Sequence, residues 1–270
     1  MAIQIKTLDQ LKTMRRAGLL VGQTLDLLRQ SIKVGMRTDA LDAIAAANIK
    51  RGGGTSNFLG YHGYPATICI SINDEIVHGI PGDRVIQDGD VVSIDCGAII
   101  DGWHGDAAFS VGVGSVDPAD QKMMDVCEES MWRGFAAAKL GGRLTDISHA
   151  VGSYIDSQGK YGILAEYGGH GIGTETHQEP HVLNFGKPGN GPELVAGMAL
   201  AIEPMITRGT AKTHVLEDQW TVVSNDHSRG AHFENSFVLL PDGKPFVLTA
   251  IDGGRAKLAT LGVEVSELLV

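Results

Sequence analysis

The stretch VVSIDCGAIIDGWHGD, residues 91–106, places one carboxylate, Asp95, inside an apolar run and a second, Asp106, just beyond a turn. An unpaired buried carboxylate is costly, so such a residue calls for a cation, hydrogen-bond donors or a raised pKa. The dipeptide Asp101-Gly102 between apolar runs favours a two-residue hairpin turn. Ile100 then faces Trp103, Gly97 faces Asp106, and Asp95 points to the same face as Asp106. Like charges set as diagonal neighbours make a poor core but a suitable cradle for divalent cations. On these residues alone the ordinary alternative, one aspartate at a solvent edge, stays open.

Other acidic and imidazole groups occur in comparable settings. Glu203 ends the apolar run MALAIE before Pro204, Glu234 precedes NSFVLL, and His170 sits in GGHGIG, where glycines let a partner approach closely. Singly, each has a plain reading: a strand end, a surface residue, a hydrogen-bonded core histidine. Together, oxygen-rich donors with one imidazole suit Mn, Fe(II), Co or Zn, and bridging carboxylates can hold two such ions roughly 3.5 to 4 Å apart. Competing motifs are weak. GGHGIG lacks dinucleotide-loop spacing, and neither GxxxxGK[ST] nor GxSxG occurs. Pro180 between His177 and His181 disfavours the helix a zincin site needs. Cys69 and Cys96 lie in apolar strand patterns and read as core residues.

The elements that must position these groups follow from periodicity. Thr7 and Gln10 form a capping box ahead of a helix whose Leu11, Met14, Val21, Leu25 and Leu28 share one face. A second helix is predicted from Thr38 to the GGG at 52–54, a third after the Asp117-Pro118 cap, and a fourth capped by Thr145. Strand-like runs follow as TICISI, VVSIDCGAII, MALAIEPMI, WTVVSN and ENSFVLL. The order repeats: Thr38-Asp39 returns as Thr145-Asp146 after 107 residues, and Gly89 returns as Gly197 after 108, which sets Asp95 against Glu203. A duplicated helix-helix-strand unit would bring one carboxylate from each half toward a pseudo-twofold axis.

Composition narrows the class further. The 270 residues carry a formal net charge of -10, which argues against nucleic acid or an anionic membrane as the main partner. Three cysteines without a CxxC pair indicate neither a disulfide framework nor a thiolate zinc site. The start, MAIQIKTLDQLKTMRR, is amphipathic from the outset, and no run is long and uncharged enough to span a bilayer. A soluble, cytoplasmic protein is expected.

The ordered set NDEIVHGIP, DGDVVSIDCG, HGD, GGHGIG, AIEPM and FENSFVL resembles the type I methionine aminopeptidases, from Met1 to about Ile251. The resemblance implies an α/β (α+β) "pita-bread" fold with an internal pseudo-twofold repeat, here a single catalytic domain over residues 1–270. It implies two divalent metal ions (Co, Mn, Fe(II) or Zn) on Asp95, Asp106, His170, Glu203 and Glu234, with Glu203 also carrying a proton. His177 is expected to contact the scissile carbonyl or amide, and His78 to help position substrate and transition state. Tyr61, Tyr64, Cys69 and Trp220 match the methionine side-chain pocket. Phe58 stands where a small residue or cysteine is frequent, and Thr176 where an aromatic is frequent, two departures that leave the pocket size open. The segment after Arg255 has no clear counterpart and reads as a tail. The implied activity is removal of N-terminal methionine from nascent chains with a small second residue, by a monomer in transient contact with the ribosome. A proline-directed peptidase of the same fold and a non-catalytic binding module remain the alternatives.

Overall fold

In the computed structural model, which describes residues 3–270, helix α1 (Leu8–Ser31) begins at the expected capping box. Thr7 Oγ1 accepts from the Gln10 amide, and the Gln10 side chain accepts from the Thr7 amide. Its apolar stripe, including Leu11, Met14, Val21, Leu25 and Leu28, is buried. Helix α2 (Thr38–Arg51) ends at Gly52, and α3 (Pro118–Ala137) opens with Pro118 in its first turn and the Asp117 carboxylate accepting from the Ala119 amide. Helix α4 (Leu144–Gln158) departs from expectation. Its cap is Arg143, whose amide donates to Asp146 Oδ2 at 2.8 Å. Thr145 lies inside the helix because its hydroxyl is committed to Asn190, accepting from the amide at 2.8 Å and reaching the carbonyl oxygen at 3.1 Å.

The strands, in chain order, are β1 (Thr55–Ser56), β2 (Cys69–Ile72), β3 (Glu75–Val77), β4 (Asp90–Ile100) and β5 (Trp103–Val113). Then come β6 (Gly162–Ile163), β7 (Gly169–Gly171), β8 (Gln178–Val182), β9 (Ala199–Ile202) and β10 (Met205–Thr207). Last are β11 (Thr213–Val215), β12 (Val222–Ser224), β13 (Gly230–His232), β14 (Glu234–Leu239) and β15 (Pro245–Val247). The main sheet runs β1-β4-β5-β14-β9-β7-β8, antiparallel throughout, with β2 also on β4 and β15 also on β14. The helices and this sheet share the largest core cluster. Against the hairpin, α1 sits so close that a Cβ on Gly105 would lie 2.8 Å from the Gly18 Cα, so that strand position needs glycine.

The β4-β5 hairpin has the expected register, with Ile100 opposite Trp103 and Gly97 opposite Asp106. Asp101 and Gly102 have φ of 49° and 77°, the left-handed pair that a type I′ turn requires. The internal repeat is also present. Gly89 and Gly197 both adopt positive φ, 87° and 83°, and each amide bonds a strand carbonyl, of Val113 and Leu239 respectively. The helix starts match one residue away from the sequence alignment. Arg37 corresponds to Arg143, because Thr38 and Leu144 donate to Arg84 and Pro192, and Gly35 and Gly141 donate to Ile86 and Leu194. Hydrogen bonds, not the shared Thr-Asp letters, define the correspondence.

The C-terminal segment is packed, not a tail. Helix α5 (Arg255–Thr260) and the residues after it bury Leu258 and Val265 in the main core and Leu269 in a second cluster, while Ser266 bonds Pro245 O and Asp242. Hydrophobic burial of three side chains outweighs the low sequence specificity of the segment. No helix among the described residues is long and apolar enough to cross a membrane.

Candidate active site

Five neighbouring strands of the main sheet, β4, β5, β14, β9 and β7, point one group each into a single cavity. Asp95 lies on β4, Asp106 on β5, Glu234 at the start of β14, Glu203 directly after β9, and His170 in β7. The register explains the convergence: Asp95 and Glu234 both pair with Ala108 from opposite sides, so a small side chain separates the two carboxylates. The strand is interrupted at Glu203-Pro204, where β9 stays in the main sheet and β10 joins β13 and β6. That break frees Glu203 to turn inward. Asn184 Nδ2 holds its carbonyl oxygen at 3.0 Å.

The geometry of the donors is tight. His170 Nε2 lies 3.5 Å from Glu203 Oε1 and 3.9 Å from Glu234 Oε1. Asp106, His170 and Glu234 offer ligand atoms within 4.8 Å of one another. Burial drives all four carboxylates upward in pKa, and mutual repulsion among Asp106, Glu234, Glu203 and Asp95 adds to it. Burial pushes the His170 imidazole down, to about 3, which keeps a neutral ring with a free lone pair.

The other half of the cavity is apolar and aromatic. Phe58, Tyr64 and Cys69 form one buried cluster with Ala66, flanked by Trp220, whose ring meets Tyr64 edge-on at 5.0 Å. The Tyr64 hydroxyl is 2.9 Å from Gly79 O and 3.1 Å from Ile68 O, so its polar end is satisfied and its ring is free to serve as wall. Burial, with Asp95 nearby, raises the Cys69 thiol well above its ordinary value, which leaves it a neutral apolar lining and not a nucleophile. Tyr61 does more than line: its hydroxyl lies 3.0 Å from His177 Nδ1. His78, at φ 61°, presents its ring toward Trp220 and Tyr167, and burial lowers it to about 4.

Similarity to known proteins agrees with this geometry. Residues 12–240 match metallopeptidase family M24. Methionine aminopeptidase 1 of Mycobacterium tuberculosis is 48% identical over 250 residues, 90% of this chain and 94% of that protein. The crystal structure of a methionine aminopeptidase from Thermotoga maritima superposes with a TM-score of 0.90 at 36% identity, covering 92% of this chain and all of that one. The chain belongs to metallopeptidase family M24, among its methionine aminopeptidases. A prolidase from Pyrococcus furiosus shares the fold at 20% identity and TM-score 0.70, with 65% of its own length covered.

For a methionine aminopeptidase the decisive test is whether these residues suit a metal ion, and the polar atoms say that they do. Asp95 Oδ1, Asp106 Oδ1 and Glu234 Oε1 are buried and accept no hydrogen bond. Among the described residues, no lysine or arginine pairs with any of the four carboxylates. Buried carboxylate oxygens with neither a donor nor a counter-ion suit a bound cation.

All twelve residues expected at the site line the aminopeptidase cavity, joined by Val77. Thr176, 4% exposed, has its Oγ1 2.8 Å from His104 Nδ1, so it ties the loop before His177 to β5. Phe58 does line the slot. One residue escaped sequence reasoning altogether: His232, 1% exposed, has Nε2 3.4 Å from Glu203 Oε2. Its position two residues before Glu234 on the same path into the sheet was the available signal.

Proposed function

We infer that this chain is a metalloaminopeptidase that removes methionine from the N-termini of nascent polypeptides when the second residue is small. The observation that carries the reading is the single cavity in which hard oxygen donors and one imidazole face an apolar slot closed by Tyr64, Cys69, Phe58 and Trp220. An unbranched thioether fills such a slot at little cost, because methionine is flexible and polarizable.

Asp95, Asp106, His170, Glu203 and Glu234 would hold two divalent ions, of the Co, Mn, Fe(II) or Zn type given the donor set. When bound, such ions supply a Lewis acid and lower the pKa of the attacking water. Glu203 then serves as proton carrier: its buried carboxylate stands in the cavity beside the group that would hold the ions, within reach of a reacting peptide there. With the Tyr61 hydroxyl, 3.0 Å from His177 Nδ1, as donor, the ring proton would stand on Nε2, where it would donate to the oxygen of the scissile bond as negative charge develops. His78, a neutral ring walled by Trp220, orients the peptide across the cavity. The chain works as a single catalytic domain over residues 1–270, as a cytoplasmic monomer meeting its substrates at the ribosome.

Hydrolysis of Met-Ala-Ser against Ala-Pro peptides, with and without chelator, tests the reading. Cleavage of Met-Ala-Ser that stops on chelation and returns with Mn or Co is expected. Chelator-resistant cleavage, or cleavage of Ala-Pro alone, would refute it.

A further inference from the structure

His232 has no part in the reaction so far described, yet it is built into the site as firmly as the ligands. It closes β13 opposite Met205 of β10, the strand that begins two residues after Glu203. Its main chain is clamped by Ser110, whose Oγ accepts from the His232 amide at 2.8 Å and donates to its carbonyl oxygen at 3.0 Å. Its ring lacks any such partner. Nε2 is buried, is reached by no hydrogen bond, and faces Glu203 Oε2 at 3.4 Å.

Glu203 therefore lies between two imidazoles, one to each oxygen. Oε1 lies 3.5 Å from His170 Nε2, and Oε2 lies 3.4 Å from His232 Nε2. The two nitrogens share Glu234 as a neighbour, His170 in a cluster with Asp106 and Glu234 and His232 in one with Glu203 and Glu234, but they meet different oxygens of Glu203. A ligating carboxylate ordinarily has its second oxygen held by a donor, which fixes its orientation. Among the described residues, His232 Nε2 is the side-chain nitrogen that the structure sets beside that oxygen, at 3.4 Å.

We propose that His232 is a positioning residue for Glu203. In the metal-loaded protein its Nε2–H donates to Oε2 and so keeps Oε1 turned to the metal side of the cavity beside His170. The inference rests on the reading of Glu203 as ligand and proton carrier. Because Glu203, His232 and Glu234 also place ligand atoms within 4.8 Å of one another, the experiment has to separate an N–H donor from a metal ligand.

The protein loaded with ¹¹³Cd and labelled with ¹⁵N-histidine makes that separation. The expected spectrum has a protonated, pyrrole-type Nε2 at His232 without coupling to cadmium, and a coupled nitrogen at His170; cadmium coupling at His232 overturns the proposal. His232→Leu, which removes the donor, should lower kcat on Met-Ala-Ser by roughly 10- to 100-fold at unchanged metal stoichiometry and KM. His232→Gln keeps an N–H donor and should recover most of that loss. Loss of an ion in His232→Leu, full turnover in it, or a glutamine variant no better than leucine would each contradict the role. If the leucine variant does not fold, the spectrum of the loaded wild-type protein still decides. Should the wild-type holoenzyme fail to cleave Met-Ala-Ser at all, the functional reading falls, and the spectrum reports on His232 independently of it.

Discussion

The two halves of the repeat deliver the same kind of donor by opposite means. The N-terminal half presents Asp95 and Asp106 from one regular hairpin of two eleven-residue strands, joined by a tight turn and braced by α1. The C-terminal half presents His170 and Glu234 from strands of three and six residues and Glu203 from just after a strand of four, where Pro204 interrupts the ladder. Two carboxylates that repel each other need a continuous ladder to stay together. An imidazole and a proton-carrying carboxylate need aim instead, and short strand ends supply it. Regularity holds charge; interruption directs it.

Breaking the regular half should have the largest effect. Asp106→Asn removes one anionic oxygen from the centre of the donor set, and both metal occupancy and turnover should fall by at least about 100-fold, beyond what loss of a supporting residue costs. Elemental analysis alongside peptide kinetics checks this; normal occupancy would show that Asp106 is not a ligand.

On the irregular side, His177→Ala should lower kcat by roughly 10² to 10⁴ while metal content stays as in the wild type. His170→Ala should lose metal. Equal metal loss in both variants would place His177 among the ligands and erase the distinction between donors on strands and the histidine on the loop.

Linkage gives a smaller, pH-dependent effect. The buried carboxylates have raised pKa values in the folded chain, so the stability they contribute is present at acid pH and is lost as pH rises above the ordinary carboxylate range, near 4. Buried His78, lowered to about 4, acts in the other direction: its contribution is present above about 6.5 and is lost as pH falls toward 4. Added ions bind only the ionised carboxylates, so the rise in Tm on saturation with Mn should be larger at pH 7.5 than at pH 5.5. At 100 times Kd the gain is about 2.7 kcal/mol. A pH-independent gain would mean that the carboxylates do not bind the ion.

The smallest effect compares equivalent glycines. Alanine at either Gly89 or Gly197 meets a positive φ and should cost about 1 to 2 kcal/mol. Gly197→Ala should cost more, because its Cβ would lie 2.4 Å from the Lys6 carbonyl oxygen, whereas at Gly89 the nearest atom, Ser115 O, is at 3.2 Å. Equal melting temperatures for the two variants would contradict the asymmetry of the halves.

That asymmetry also decided what could be read in advance. The hairpin register and the α1 capping box were legible because alternation, an Asp-Gly turn and cap chemistry are local signals, whereas the cavity lining was legible only through the resemblance to a family. The cap of α4 was misread because Thr145 bonds Asn190, forty-five residues away, and letters cannot show such a partner. The C-terminal segment has no motif, and its burial depends on surfaces supplied by the rest of the fold. His232 was hidden because a histidine beside a strand has many ordinary uses, and only the three-dimensional approach to Glu203 distinguishes it.

Whether the metal cradle and the apolar slot work as one site is tested most directly by kcat/KM for peptides that differ only at the first residue, in Mn-loaded protein. A γ-branched leucine misfits the slot lined by Tyr61, Tyr64, Cys69 and Trp220, and misfit by one or two methylenes is worth roughly 1 to 3 kcal/mol. Met-Ala-Ser should therefore exceed Leu-Ala-Ser by at least about tenfold. Similar rates for methionine, leucine and alanine at that position would contradict the account.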